Sequence, residues 1–65
     1  MTPKDVRARV ATIKAAMRDS ETAHFLEDQL WEDALQSIAK GTEFPASLAQ
    51  EALKTRQLNY ERWYA

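Results

Sequence analysis

The 65-residue sequence has no cysteine, one glycine and one histidine. Without cysteine there are no disulfides, thiolate metal sites or Cys nucleophiles. The lone glycine stands in Lys40-Gly41-Thr42, which lacks every other part of a phosphate-cradling loop. A single histidine leaves no Ser-His-Asp set and no ready metal cluster. No apolar run approaches the ~20 residues of a membrane span, and the N-terminus lacks the apolar core of a signal peptide. A soluble protein of the cytoplasm is therefore expected. At 7.5 kDa the chain holds one domain at most. That size excludes α/β enzyme architectures, which need several crossover units of roughly 30 residues each.

What is present is ordinary for a folded chain: 45% hydrophobic and 29% charged residues, with a formal net charge of -1. Ordering so short a chain costs on the order of 100 kcal/mol at ~1.5 kcal/mol per residue, which a small core barely offsets. Self-association, as a homodimer, or binding to a larger partner is an expected source of added stability.

The punctuation predicts an all-α protein: a small three-helix bundle, or a helical hairpin plus a third helix, with the second helix central. Thr2-Pro3-Lys4-Asp5 is a helix start, with Thr at the N-cap, Pro at the first helical position and an acid in the first turn. The first helix is expected over residues 3–18. Its Val6, Val10, Ile13 and Met17 form a narrow stripe, about 60° wide at 100° per residue. Asp19-Ser20 then caps a second helix over 21–40 that stops at Gly41. Ala23, Leu26, Leu30, Trp31, Ala34, Leu35 and Ile38 cover an arc of roughly 180°, the broadest apolar face in the chain. A third helix is expected over 45–57, starting at Pro45 or at Ser47, where Gln50 would complete a capping box. Leu48, Ala49, Ala52 and Leu53 supply its buried stripe. A short C-terminal turn is expected over 59–64, with a docked extended end as the alternative. No segment alternates as a strand does.

Charge is segregated along the chain. Residues 1–18 carry Lys4, Arg7, Arg9, Lys14 and Arg18 against Asp5, a net of +4. Residues 19–33 carry six acids and no base, a net of -6. Packing of the first helix on the acidic half of the second, within one chain or between two, accounts for this pattern. Alternatively, Arg7, Lys14 and Arg18 fall on one flank of the first helix, about 20° apart in projection, as a phosphate-facing row would. The net-acidic whole and the lack of a basic recognition helix count against nucleic acid.

His24, Glu27 and Asp28 share one helical turn and are the one constellation with chemical potential. One His and two carboxylates leave a metal sphere incomplete unless a second chain contributes. Glu27 projects near the middle of the apolar arc, where a carboxylate cannot stay buried unpaired. Arg7, Arg18 and Arg56 are its candidate partners. A catalytic carboxylate needs a cleft and a second group with an opposed pKa, so no enzyme activity, metal or cofactor is expected.

Several aromatics stand out of place. Phe25 projects among Gln29, Glu32 and Gln36 on the polar side of the second helix, either covered by a neighbouring segment or exposed as an anchor. Tyr60, Trp63 and Tyr64 cluster with Arg62 at the C-terminus, either to close the core or to form a hot-spot patch of the residue types that dominate interface energy. The leading functional expectation is a small protein-binding module using Phe25, Asp28, Glu32, Tyr60, Arg62 and Tyr64. The alternative is a nucleic-acid binder contacting phosphates through Arg7, Lys14 and Arg18.

Ala23-His24, Glu27-Asp28, Leu30-Trp31, Asp33, Leu35, Ile38-Ala39 and Gly41, with Ala52-Leu53-Lys54-Thr55 and Arg62-Trp63, stand in a telling order. Over residues 22–65 the chain resembles small uncharacterised helical proteins of actinobacterial phages and prophages. The resemblance implies a setting, an accessory protein in a bacterial cytoplasm that binds a host or phage protein, and assigns no residue a role.

Overall fold

A computed structural model describes residues 1–62. The first helix, α1, runs Pro3–Ala15. Its start is the expected one: the Thr2 hydroxyl accepts from the Asp5 N–H at 3.2 Å, and the Asp5 carboxylate accepts from the Thr2 N–H at 2.8 Å. This reciprocal capping box satisfies two donors that the first turn would otherwise leave open. It also holds the Asp5 carboxyl below its usual range, chiefly through the Thr2 backbone bond.

The end of α1 comes three residues before the expected Arg18. Ala16 N–H is shared between the carbonyls of Thr12 and Ile13, and Met17 N–H bonds to Lys14. These tighter i→i−3 bonds close the helix, as is common at helix ends. Asp19 then adopts an extended conformation and caps α2, Ser20–Ala39, by accepting from the Thr22 N–H.

At the far end of α2 the Thr42 N–H bonds to the Ser37 carbonyl and the Gly41 N–H to the Ile38 carbonyl. Gly41 lies at φ +87°. This is a Schellman termination, whose left-handed residue is nearly always glycine because a Cβ is disfavoured there. The third helix, α3, runs Pro45–Leu53, with Pro45 at its first position and Phe44 at its N-cap. Phe44 offers no side-chain hydrogen bond, and the Ser47–Gln50 capping box does not form. Lys54–Gln57, expected as the end of this helix, is wound more tightly as a 3-10 turn.

Each of the three helices packs against the other two, giving a three-helix bundle. Val6 and Ile13 of α1, Ala23, Leu30 and Ala34 of α2, and Leu48 and Ala52 of α3 form its buried core. Val10 and Leu26 pack against that core half-buried. Two positions depart from expectation. Leu35 is 65% exposed and Leu53 is 55% exposed. Both project from the rim where α2 meets α3, outside the triangle that the helices enclose. No helix among the described residues is long and apolar enough to cross a membrane.

Candidate interaction face

The buried face of α2 carries one charge. Glu27, 4% exposed, stands one turn before Trp31 and faces the segment that follows the 3-10 turn. That segment turns extended at Leu58, forms no helical turn over 59–62 where one is expected, and delivers Arg62. Arg62 grips Glu27 in a fork: Nε to Oε1 at 2.8 Å and Nη2 to Oε2 at 3.1 Å. The Tyr60 hydroxyl donates to the same Oε1 at 3.0 Å. The guanidinium lies over the Tyr60 ring, 3.9 Å from its centroid. Its remaining N–H groups donate to the carbonyls of Thr55, Leu58 and Tyr60. A planar five-donor fork suits this task where a lysine would not.

The electrostatics follow from this geometry. Burial alone would push the Glu27 carboxyl up, but the hydrogen bonds from Arg62 and Tyr60 and the charge on Arg62 hold it below its ordinary range. Burial, then the Glu27 hydrogen bond and charge, push the Tyr60 hydroxyl up to about 12. The bond to Glu27 raises the Arg62 guanidinium further still.

This network corrects three expectations. Glu27 is paired, but with Arg62 and not with Arg7, Arg18 or Arg56. Arg62 and Tyr60, expected to be exposed, have their polar atoms turned inward, because the buried Glu27 carboxylate needs donors and both side chains supply them. Tyr64 lies outside the described residues. Glu27 is also taken out of the His24–Glu27–Asp28 set. His24 Nε2 lies 3.4 Å from Asp28, and no group of three or more metal-ligating side chains converges among the described residues.

Next to this network the surface becomes apolar. Trp31, Ala34, Leu35 and Ile38 of α2 and Ala49, Ala52 and Leu53 of α3 line an open groove of about 240 Å³. Its walls hold one side-chain polar atom, the indole Nε1, which donates to the Thr55 hydroxyl at 3.0 Å. Thr55, fully buried, passes a hydrogen bond on to the Ala52 carbonyl at 3.1 Å. Outside the groove, Phe25, Asp28 and Glu32 are exposed on the outer surface of α2. Phe25 is 66% exposed, so no described segment covers it.

Arg7 bonds to Glu51 of α3 at 3.3 Å, and Lys54 shares that carboxylate. Arg18 lies beyond the end of α1, so the helical projection does not apply to it. Lys14 and Arg18 are exposed. The basic and acidic segments do meet within one chain, through Arg9 and Asp33 at 2.8 Å. The Arg9 hydrogen bond holds the Asp33 carboxyl low.

Sequence reasoning missed the groove because it assigned Leu35 and Leu53 to the core. The signal was available in the width of the apolar arc. A helix with two neighbours buries a sector narrower than roughly 180°, so one edge of such an arc must be left over. Compared with protein families, curated proteins and solved structures, the chain matches none.

Proposed function

We propose that this chain is a small non-enzymatic interaction module that binds protein through the groove between α2 and α3. One observation carries the reading: in a 65-residue domain with a small core, Leu35 and Leu53 are left mostly exposed around an apolar groove. Contiguous exposed apolar surface is costly in water and marks interaction sites more often than isolated exposed residues do. Asp28 and Glu32, exposed on α2 beyond the groove's lining, favour a partner with basic groups beside its apolar contact. The resemblance of residues 22–65 to phage and prophage proteins adds a setting, an accessory protein of a bacterial cytoplasm.

A photo-crosslinking amino acid at position 53, compared with one at the exposed position Thr12 of α1, tests the reading in cells. Covalent products specific to position 53 are expected, and their mass reports whether the partner is this chain or another. Equal labelling at both positions, or none at either, would remove the groove as the binding face.

A further inference from the structure

We infer that the groove's partner is a second copy of this chain, related by a two-fold axis running along the groove. The inference rests on the groove being a binding face and adds the identity of its occupant. It comes from the charges on the two rims and the level at which they stand.

The α2 rim carries acid. Asp28 and Glu32 are exposed and flank Trp31 in sequence. The opposite rim carries base. Leu53 immediately precedes the 3-10 turn, and in that geometry side chains three apart eclipse, so Arg56 stands over Leu53. Arg56 is exposed, and among the described residues neither Arg56 nor Glu32 forms an ion pair. The hydrogen bond from Trp31 to Thr55 fixes the relative height of the rims. Trp31 lies between Asp28 and Glu32 in sequence and Arg56 directly follows Thr55, so this bond brings Arg56 to within about one helical turn of the height of the two acids.

Such a surface is complementary to itself in one orientation. A two-fold axis along the groove preserves level and exchanges the rims. It lays Asp28 and Glu32 of each copy opposite the partner's Arg56, and Leu35 opposite the partner's Leu53. A two-fold axis across the groove would instead set acid against acid and base against base. An isologous interface uses the same patch on both subunits, so charge decides between these orientations. A net charge of -1 per chain opposes association only weakly.

The test uses the purified full chain and two charge-reversed variants, Arg56→Glu and the double change Asp28→Lys/Glu32→Lys. All three positions are exposed, and circular dichroism confirms that each variant folds. Light scattering of the wild-type chain should show molar mass rising from 7.5 kDa toward twice that value as concentration increases. Each variant alone places like charges across the axis and should dimerise at least about tenfold more weakly. Mixed in equal amounts, the two variants place the introduced acid opposite the introduced lysines and the native acids opposite native Arg56. The mixture should recover association to within about threefold of wild type.

A wild-type chain that stays monomeric to about 1 mM, well past the range of weak specific complexes, overturns the proposal. So does dimerisation indifferent to the variants, or a mixture that fails to recover. A monomeric chain that still gives heavier cross-links at position 53 would leave the groove as a binding face for a different protein. Loss of both signals would remove both readings.

Discussion

Arg62 closes on Glu27 across 35 positions of sequence, through two hydrogen bonds of 2.8 and 3.1 Å. With side chains 14% and 5% exposed, the pair is largely withdrawn from water. Removing one partner from such a pair is much more damaging than the pair is stabilising, because the remaining charge stays buried.

Arg62→Ala should therefore cost about 2–4 kcal/mol, visible as a lower midpoint in urea with an unchanged slope. Glu27→Gln should cost less, since the amide oxygen still accepts from Arg62 and Tyr60. Combining both changes should cost less than the sum of the singles, the mark of direct coupling in a double-mutant cycle.

Two pH limits follow from the same network. The Glu27 carboxyl is held below its ordinary value, so its contribution is present above the unfolded pKa of about 4.5. That contribution is lost as pH falls through the lower folded value. Tyr60 is displaced upward, so its contribution is present below about 10 and is lost as pH rises toward about 12. Thermal melts across pH should show both shoulders, and Tyr60→Phe should reduce the alkaline one. An alkaline limb unchanged in Tyr60→Phe would assign it to other groups.

Thr55→Val keeps the shape of the buried side chain and removes its hydroxyl. The Trp31 indole N–H and the Ala52 carbonyl then each lose a partner. The expected cost is about 1–3 kcal/mol, with a changed Trp fluorescence maximum as the spectroscopic sign. A Thr55→Ser variant retains the hydroxyl and should lose less.

Nucleic acid provides a separate check on the proposed function. Arg7 is engaged by Glu51, and Arg9 by Asp33. A labelled DNA duplex titrated at about 50 mM salt should therefore show no binding with the steep salt dependence of multiple phosphate contacts. Binding that collapses between about 50 and 200 mM salt, and that weakens in Lys14→Ala, would favour the basic helix over the groove.

The helix boundaries that could be read from the chain were set by local chemistry. Thr2 with Asp5, Asp19, Gly41 and Pro45 each act within a few residues, so their roles appear in short sequence. Ser47 with Gln50 was a false signal: Pro45 preorganises the first turn, and the helix begins before that box could close. The need of Glu27 for a cation was also readable, since its place on the apolar arc is a property of α2 alone. Which cation answers it was not, because Arg62 reaches Glu27 only after three helices, a glycine stop and a 3-10 turn have set the path. Tyr60 and Arg62 misled for the same reason. Residue types suited to interfaces are equally suited to sealing a buried charge. Leu35 and Leu53 misled in the opposite direction, because periodicity marks an apolar face without showing how much of it neighbours cover.

The fork between Arg62 and Glu27 constrains how this sequence can drift. A domain of this size has a margin of a few kcal/mol, comparable to the cost of losing either member alone. Positions 27 and 62 should therefore change together, through an intermediate that another stabilising substitution has already made tolerable. Apolar residues can replace both, since a buried ion pair and well-packed side chains of similar volume are close in free energy. Leu35 and Leu53 face no such internal coupling and are free to vary with whatever they contact. Among relatives of this chain, paired change at 27 and 62 would mark descent within one fold, and change at 35 and 53 would mark a change of partner.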